Sequence, residues 1–226
     1  DELRFEADYS SIRIELIDGT AEIRGCELAQ GSMSKLYEYS FSNFAGYIYT
    51  WEGCRITVEG NCHCYIVRDT FGRSILNIHA DVQAMRLKAA AGEGELEDPS
   101  LGPRVVIVGP PGCGKSTIAM TLLNYGARLS QMVYVDLDVS HNDISLPGML
   151  SAVVIDRPVI PTRGWGNSPP LAFPFGSADL SANGKLYQVQ LVQLLKSLQA
   201  RDEAFPEAKH AGWIIKAPTW RSPESY

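Results

Sequence analysis

The sequence predicts two fold classes in succession: a small all-β sandwich, then an α/β domain whose mostly parallel sheet is flanked by helices. Three observations carry this prediction. Between Leu3 and Val67, apolar and polar residues alternate in short runs broken by turn residues. From Arg104 to Met120 the stretch "RVVIVGPPGCGKSTIAM" leads from a β-branched run through a Gly-rich turn into helical spacing. Beyond it, apolar strand-like runs alternate with a further helical pattern, as a parallel sheet with crossover helices requires.

In chain order, "LRFEA", "SIRIELI", "AEIRG", "YIYTW" and "RITVEG" are strand candidates separated by "DG", "GS" and "EG" turns. "CHC" at Cys62 to Cys64 places two thiols on one face of an alternating strand, which reads as packing, since no second ligand pair follows at zinc-site spacing. "RSILNIHADVQAMRLKAAA" (Arg73 to Ala91) changes to a helical pattern, with Val82, Met85 and Leu87 as its apolar residues. "GEGELEDPSLGP" (Gly92 to Pro103) is acidic, Gly-rich and punctuated by Pro, the composition of a linker. The expected organisation is therefore an N-terminal β domain with a trailing helix over 1–91, a linker over 92–102 and an α/β domain over 103–226.

Within that second domain, "RVVIVG" is a strand and "KSTIAMTLLNYGARL" a helix with apolar residues at Ile118, Leu122, Leu123 and Leu129. "MVYVDLD" (Met132 to Asp138) is a second apolar strand ending in carboxylates. "SAVVID", "LAFPFG" and "GWIIKA" are further strands, and "KLYQVQLVQLLKSLQARDEA" (Lys185 to Ala204) is a helix. The chain stops at "PTWRSPESY" with no helix after its last strand, so the α/β domain is expected to be incomplete here.

Composition narrows the function classes. With 226 residues, 45% of them hydrophobic, the chain can build sizeable cores. No apolar run approaches the roughly 20 residues that cross a bilayer, and "DELRFEADYS" lacks the basic start and apolar centre of a signal peptide. A soluble intracellular protein with reduced thiols is expected: the five cysteines are odd in number and Cys113 lies in the Gly-rich loop. A net charge of -6 argues against non-specific coating of nucleic acid, so any RNA contact must be local.

The chemistry centres on Gly109 to Ser116, which satisfies G-x-x-x-x-G-K-[ST] between a strand and a helix, the context of a P-loop NTPase. Glycines let backbone N–H groups converge on phosphate oxygens, and the helix N-terminus adds the positive end of its dipole. Lys115 spans the β- and γ-phosphates and Ser116 can ligate Mg2+. Asp136 and Asp138 leave the end of the neighbouring strand, where a Mg2+-organising or water-orienting carboxylate belongs; Asp138, nearer the exit, is the better candidate. His141 could meet phosphate or face solvent. Thr219, Trp220 and Arg221 could stack a base and neutralise a phosphate, or Trp220 could be an ordinary packed or interface aromatic.

Several separated segments then match one family in order: "ELRFEA", "GTAEIRGCEL", "YIYTWEGC", "LNIHADVQAMR", "GPRVVIVGPPGCGKST", "LLNYGARL", "VDLDVSHNDISLPGML", "PLAFPFGS" and "KLYQVQ". The chain resembles, nearly end to end, the Clp-type polyribonucleotide 5′-hydroxyl kinases, subunits of the pre-mRNA cleavage and polyadenylation machinery. The resemblance implies a nuclear ATP- and Mg2+-binding subunit with other 3′-end processing subunits and RNA 5′ ends as partners, and tRNA splicing as a further setting. It implies a third, C-terminal domain that is absent from this chain, with lid arginines beyond Tyr226. It also implies ATP held between the first two domains, with Glu2 beside the adenine. Gly112, Cys113, Gly114, Lys115, Ser116 and Thr117 would hold the phosphates, Asp138 would be the catalytic or Mg2+-linked aspartate, and Trp220 would clasp the RNA end.

Departures from the family pattern fall inside the same motifs. Pro111-Gly112-Cys113 replaces Thr-Asp-Val, Ser140-His141 replaces Gly-Gln, and the strand before the clasp ends Lys216-Ala217 in place of Asn-Thr. Two readings stay open on these residues: an RNA 5′-hydroxyl kinase, and a catalytically silent scaffold fastened by ATP. An unrelated P-loop ATPase or small-molecule kinase is a third, opposed by the N-terminal sandwich motifs.

Overall fold

The computed structural model describes residues 1–7, 11–30, 39–42, 44–68, 70–162, 164–165 and 168–219. The chain divides into two compact units, Asp1–Asn77 with Val159–Gly164, and Ile78–Pro158 with Trp165–Tyr226.

The first unit is all-β. Its strands are β1 (Glu2–Ala7), β2 (Ile12–Gly19), β3 (Glu22–Ile23), β4 (Cys26–Glu27), β5 (Tyr39–Phe41), β6 (Phe44–Tyr49), β7 (Cys54–Glu59) and β8 (His63–Val67). They form two antiparallel sheets, ordered β4-β3-β6-β1-β8 and β5-β2-β7. Alternation turns Phe5 and Ala7 of β1, and Ile12, Ile14 and Leu16 of β2, into one core with Ile23, Phe41 and Ile48. The rings of Phe5, Phe41 and Phe44 close it, with Phe41 and Phe44 centroids 4.9 Å apart. Ile160, far along the chain, packs against the same core. The "CHC" expectation holds for one thiol of two: Cys62 is half-buried against the core, whereas Cys64 is exposed, because β8 is the edge of its sheet.

Helix α1 (Gly72–Ala90) carries the chain across the division between the units. Its inward stripe in the second unit is Val82, Arg86 and Ala89, which the 3.6-residue period puts on one face. Met85 and Leu87, read with Val82 as the apolar residues of the helix, flank that stripe and are exposed. Arg86 is buried because its Nε–H donates to the Ala211 carbonyl at 2.9 Å, and burial lowers its pKa to about 10. The Gly-rich stretch expected as a linker is folded onto the second unit: Gly102 N–H donates to the Lys209 carbonyl at 3.1 Å and Lys209 pairs with Asp98 at 2.8 Å.

The second unit contains β9 (Arg104–Ile107), α2 (Lys115–Ala127), β10 (Met132–Asp136), β11 (Met149–Ile155), β12 (Leu171–Pro174), α3 (Gly184–Ala204) and β13 (Trp213–Lys216). Its sheet order is β12-β11-β10-β13-β9. The strands β9, β13 and β10 run parallel, as expected around a phosphate loop, and β11 and β12 extend the sheet antiparallel, so the sheet is mixed. Val133 and Val135 face Leu194 and Leu198 of α3 in one core with Leu150, Ala152, Trp213 and Ile215. Met132, of opposite parity, borders Gly126 of α2, so the two helices cover opposite faces of the sheet. Asn183 caps α3 by accepting from Leu186 N–H at 3.0 Å. Helix α2 ends at Ala127, leaving Leu129 beyond it and exposed.

Candidate phosphate site

The predicted loop joins β9 to α2. Gly112 and Gly114 have φ of 72° and 89°, the left-handed region that favours glycine. Gly114 is also the N-cap of α2, and no side chain caps that first turn. The first-turn N–H groups of a helix are the ones it presents to an anion. Ser116 and Thr117, on the same turn, are half-buried, and Cys113 is an exposed free thiol on the loop.

Lys115 is buried at the loop's base. Its ammonium donates to the carbonyls of Gly109 at 2.9 Å and Pro110 at 3.1 Å, and to Thr219 Oγ1 at 3.2 Å. Thr219 in turn donates its hydroxyl to Asp138 Oδ2 at 2.8 Å. Asp138, Lys115 and Thr219 come from three chain regions, and they meet because β9, β13 and β10 are parallel neighbours whose C-terminal ends point the same way.

Strand β10 stops at Asp136, and the chain then turns instead of continuing extended. Asp136 Oδ1 accepts from Asp138 N–H at 2.9 Å and its Oδ2 from Asp143 N–H at 2.6 Å. Asp138 Oδ1 receives Ser140 N–H at 3.0 Å and Ser140 Oγ at 2.5 Å. Burial by itself would raise the Asp138 pKa, but the bonds from Ser140 and Thr219 outweigh it and hold the carboxyl below its ordinary value. Asp136 has no exposure and pairs with Lys216 at 3.0 Å. Burial works against the Lys216 charge, yet Asp136 and Asp143 more than offset it and keep the ammonium protonated above its ordinary range.

The structure therefore brings Lys115 and Asp138 together and adds two residues whose role was not foreseen. Thr219 was singled out for its neighbour Trp220, and its hydroxyl is what links Lys115 to Asp138. Lys216 was noted with Ala217 as a departure from the family pattern, and its charge closes the apolar run "WII", an unusual end for an interior strand. The backbone of His141 accepts from Lys216 Nζ, while its ring Nδ1 lies 3.1 Å from Ser140 Oγ on the exposed side. Trp220 and Arg221 lie outside the described residues. Glu2 belongs to the other unit, where it is buried in β1 and accepts from Arg4 Nε–H at 2.7 Å.

These residues fit a Mg2+-nucleotide. An uncapped helix start, a buried ammonium and a hydroxyl on the first turn are the groups that polyphosphate needs. Among the described residues no three His, Cys, Asp or Glu side chains group to hold a metal by themselves. Mg2+ would be shared by Ser116, Asp138 and phosphate oxygens, which suits its preference for few protein ligands. No described helix is long and apolar enough to cross a membrane.

Comparison with known proteins gives one answer along the whole chain. The family model described as the mRNA cleavage and polyadenylation factor CLP1 P-loop matches residues 109–226, and that of the N-terminal beta-sandwich domain of polyadenylation factor matches residues 1–89. The chain is 36% identical over 228 residues to the polyribonucleotide 5′-hydroxyl-kinase Clp1 of Danio rerio, covering 100% of this chain and 49% of that protein. The Homo sapiens protein of the same name is 35% identical, with 100% and 51% covered, and the CLP1 homolog of Aedes aegypti is 34% identical, with 97% and 50% covered. The chain thus spans about half the length of these relatives. Among solved structures, wild-type Clp1p in complex with Pcf11p superposes with a TM-score of 0.78 at 24% identity, covering 96% of this chain and 52% of that one. A second Clp1p–Pcf11p structure, concerned with a point mutant that loses ATP, gives 0.79 at 24% identity, covering 96% and 53%.

Proposed function

We propose, for a chain that belongs to the Clp1 family of mRNA cleavage and polyadenylation factors, that it binds ATP with Mg2+ at the loop 109–116 and serves nuclear pre-mRNA 3′-end processing. The finer activity proposed is transfer of the γ-phosphoryl group of ATP to a 5′-hydroxyl RNA end, including ends such as those handled in tRNA splicing. The observation that carries it is the chain of bonds Lys115–Thr219–Asp138, which puts a cation of the loop and an ionised carboxylate together at the C-terminal ends of the parallel strands.

Each residue has a task in that reaction. Backbone N–H groups from Gly112 to Thr117 cradle the phosphates, and Lys115 leaves its carbonyl partners for the β- and γ-phosphates. Ser116 and Asp138 would help hold Mg2+, which when bound would neutralise charge at the transferring group. The RNA hydroxyl oxygen bonds to the γ-phosphorus as the bond to the β–γ bridging oxygen breaks, releasing ADP. A carboxyl held below its ordinary pKa is a weak base, so Asp138 chiefly orients that hydroxyl and takes its proton late. Trp220 is proposed to stack the terminal base and Glu2 to lie beside the adenine, both by analogy with the family. Association with other 3′-end processing subunits, a Pcf11-type protein among them, belongs to the same proposal.

A second reading, the ATP-fastened scaffold, is favoured by one observation: both Asp138 oxygens are already engaged by Ser140 and Thr219. Bound nucleotide would then stabilise the fold by linkage without turnover. Full-length protein given labelled ATP, Mg2+ and a 5′-hydroxyl RNA separates the two. Label transfer that disappears in Lys115→Ala supports the kinase; tight ATP binding with no transfer supports the scaffold; absence of ATP binding removes both.

A further inference from the structure

Lys216 closes β13 in the interior of the sheet and is 1% exposed. Its ammonium has three donors, and three acceptors meet them: Asp136 Oδ2 at 3.0 Å, Asp143 Oδ2 at 2.9 Å and the His141 carbonyl at 2.6 Å. Two of these acceptors lie on the turn from Asp138 to Asp143, and the third, Asp136, binds both ends of that turn through its N–H groups. Further bonds complete the arrangement: Tyr134 donates its hydroxyl to Asp143 at 2.7 Å, and Trp165 Nε1–H donates to the Asp143 carbonyl at 2.8 Å. The turn is therefore wound around one buried ammonium.

A buried ion pair is weak evidence for stability as such, because apolar residues of like volume commonly serve as well. What an ammonium does and an apolar group does not is gather three oxygens from separate points of the turn. The same turn carries Ser140, whose N–H and hydroxyl hold Asp138 Oδ1. We propose that Lys216 is a positioning residue of the phosphate site, an internal cation that fixes the 138–143 turn so that Asp138 is presented to Thr219 and Lys115. Its charge also compensates Asp136, leaving Asp138 as the carboxylate of the pair that remains for Mg2+. The inference rests on reading the Lys115 loop as the ATP site.

The test uses full-length protein and the double variant Asp136→Asn/Lys216→Met, which removes both charges and so leaves no lone buried carboxylate. A positioning role gives a melting temperature close to that of the native protein, with the amides of Ser140 and His141, which donate to Asp138 and not to the replaced Asp136, exchanging about tenfold faster or more. Mg2+-dependent ATP affinity falls by about the same factor, while affinity for ATP in EDTA stays unchanged. Native exchange rates at Ser140 and His141 in the folded double variant overturn the proposal. So does an equal loss of ATP affinity with and without Mg2+. Where the double variant does not fold, Asp143→Ala removes one acceptor of the three at the partly exposed side, and unchanged exchange at Ser140 and His141 overturns the proposal there. A native protein that binds no ATP removes the nucleotide reading, and amide exchange still decides whether Lys216 orders the turn.

Discussion

Thr219 donates its hydroxyl to Asp138 Oδ2 at 2.8 Å, joining two positions 81 residues apart in the chain. The hydroxyl oxygen of Thr219 accepts from Lys115 Nζ at 3.2 Å, so one hydroxyl mediates between the cation of the phosphate loop and the carboxylate beyond β10. Replacing Thr219 by Val keeps the shape and removes the donor. The Asp138 pKa should then rise, because a bond that favours its charged form is gone. Carbon-detected NMR titration of Asp138 checks the shift, and an unmoved titration refutes the link.

Lys115→Ala should leave the fold intact and weaken ATP binding by about tenfold or more, since the loop loses its cationic contact to the β- and γ-phosphates. Calorimetric titration with Mg2+-ATP measures this. Affinity within a factor of two of the native protein would place the nucleotide elsewhere.

Acid should act on the second unit through Asp138. Its folded pKa is depressed from the ordinary 3.8, so its contribution is fully present above that value and is lost as pH falls through the lower, folded one. Asp138→Asn should therefore cost about 1–3 kcal/mol near pH 6, the penalty for disturbing a buried charged hydrogen-bond set. The difference between variant and native protein should shrink below pH 3.8. Urea unfolding at a series of pH values gives both numbers, and a difference independent of pH would contradict the assignment.

Leu194 of α3 has no exposure and sits in the core beside Val133, Val135 and Trp213. Leu194→Ala should destabilise the second unit by about 2–5 kcal/mol through lost transfer energy and the cavity left behind. ATP affinity measured on the folded protein should change little, because the site lies at the strand ends. Denaturant melts paired with calorimetry would show whether stability and binding separate in this way.

Much of this was legible in the residues. Period-two alternation in "SIRIELI" sends Ile12, Ile14 and Leu16 inward, and Gly-x-x-x-x-Gly-Lys-Ser between strand and helix marks the phosphate loop. These are local signals, decided within a few residues by side-chain period and backbone sterics. The helix α1 was foreseen but its inward face was not, since that face takes Arg86 and leaves Met85 outside. What buries Arg86 is a carbonyl 125 positions away, at Ala211, which no local pattern announces.

The sequence by itself determined the two fold classes and the phosphate-loop motif, and it put Asp138 forward as the companion carboxylate. Only the tertiary structure decided that the sheet is mixed, that Thr219 joins Lys115 to Asp138, and that Lys216 orders the turn between Asp136 and Asp143. The reason is physical. Strand pairing places β13 between β9 and β10, and that placement brings Thr219 to Lys115, 104 positions earlier, and Lys216 to Asp136, 80 positions earlier.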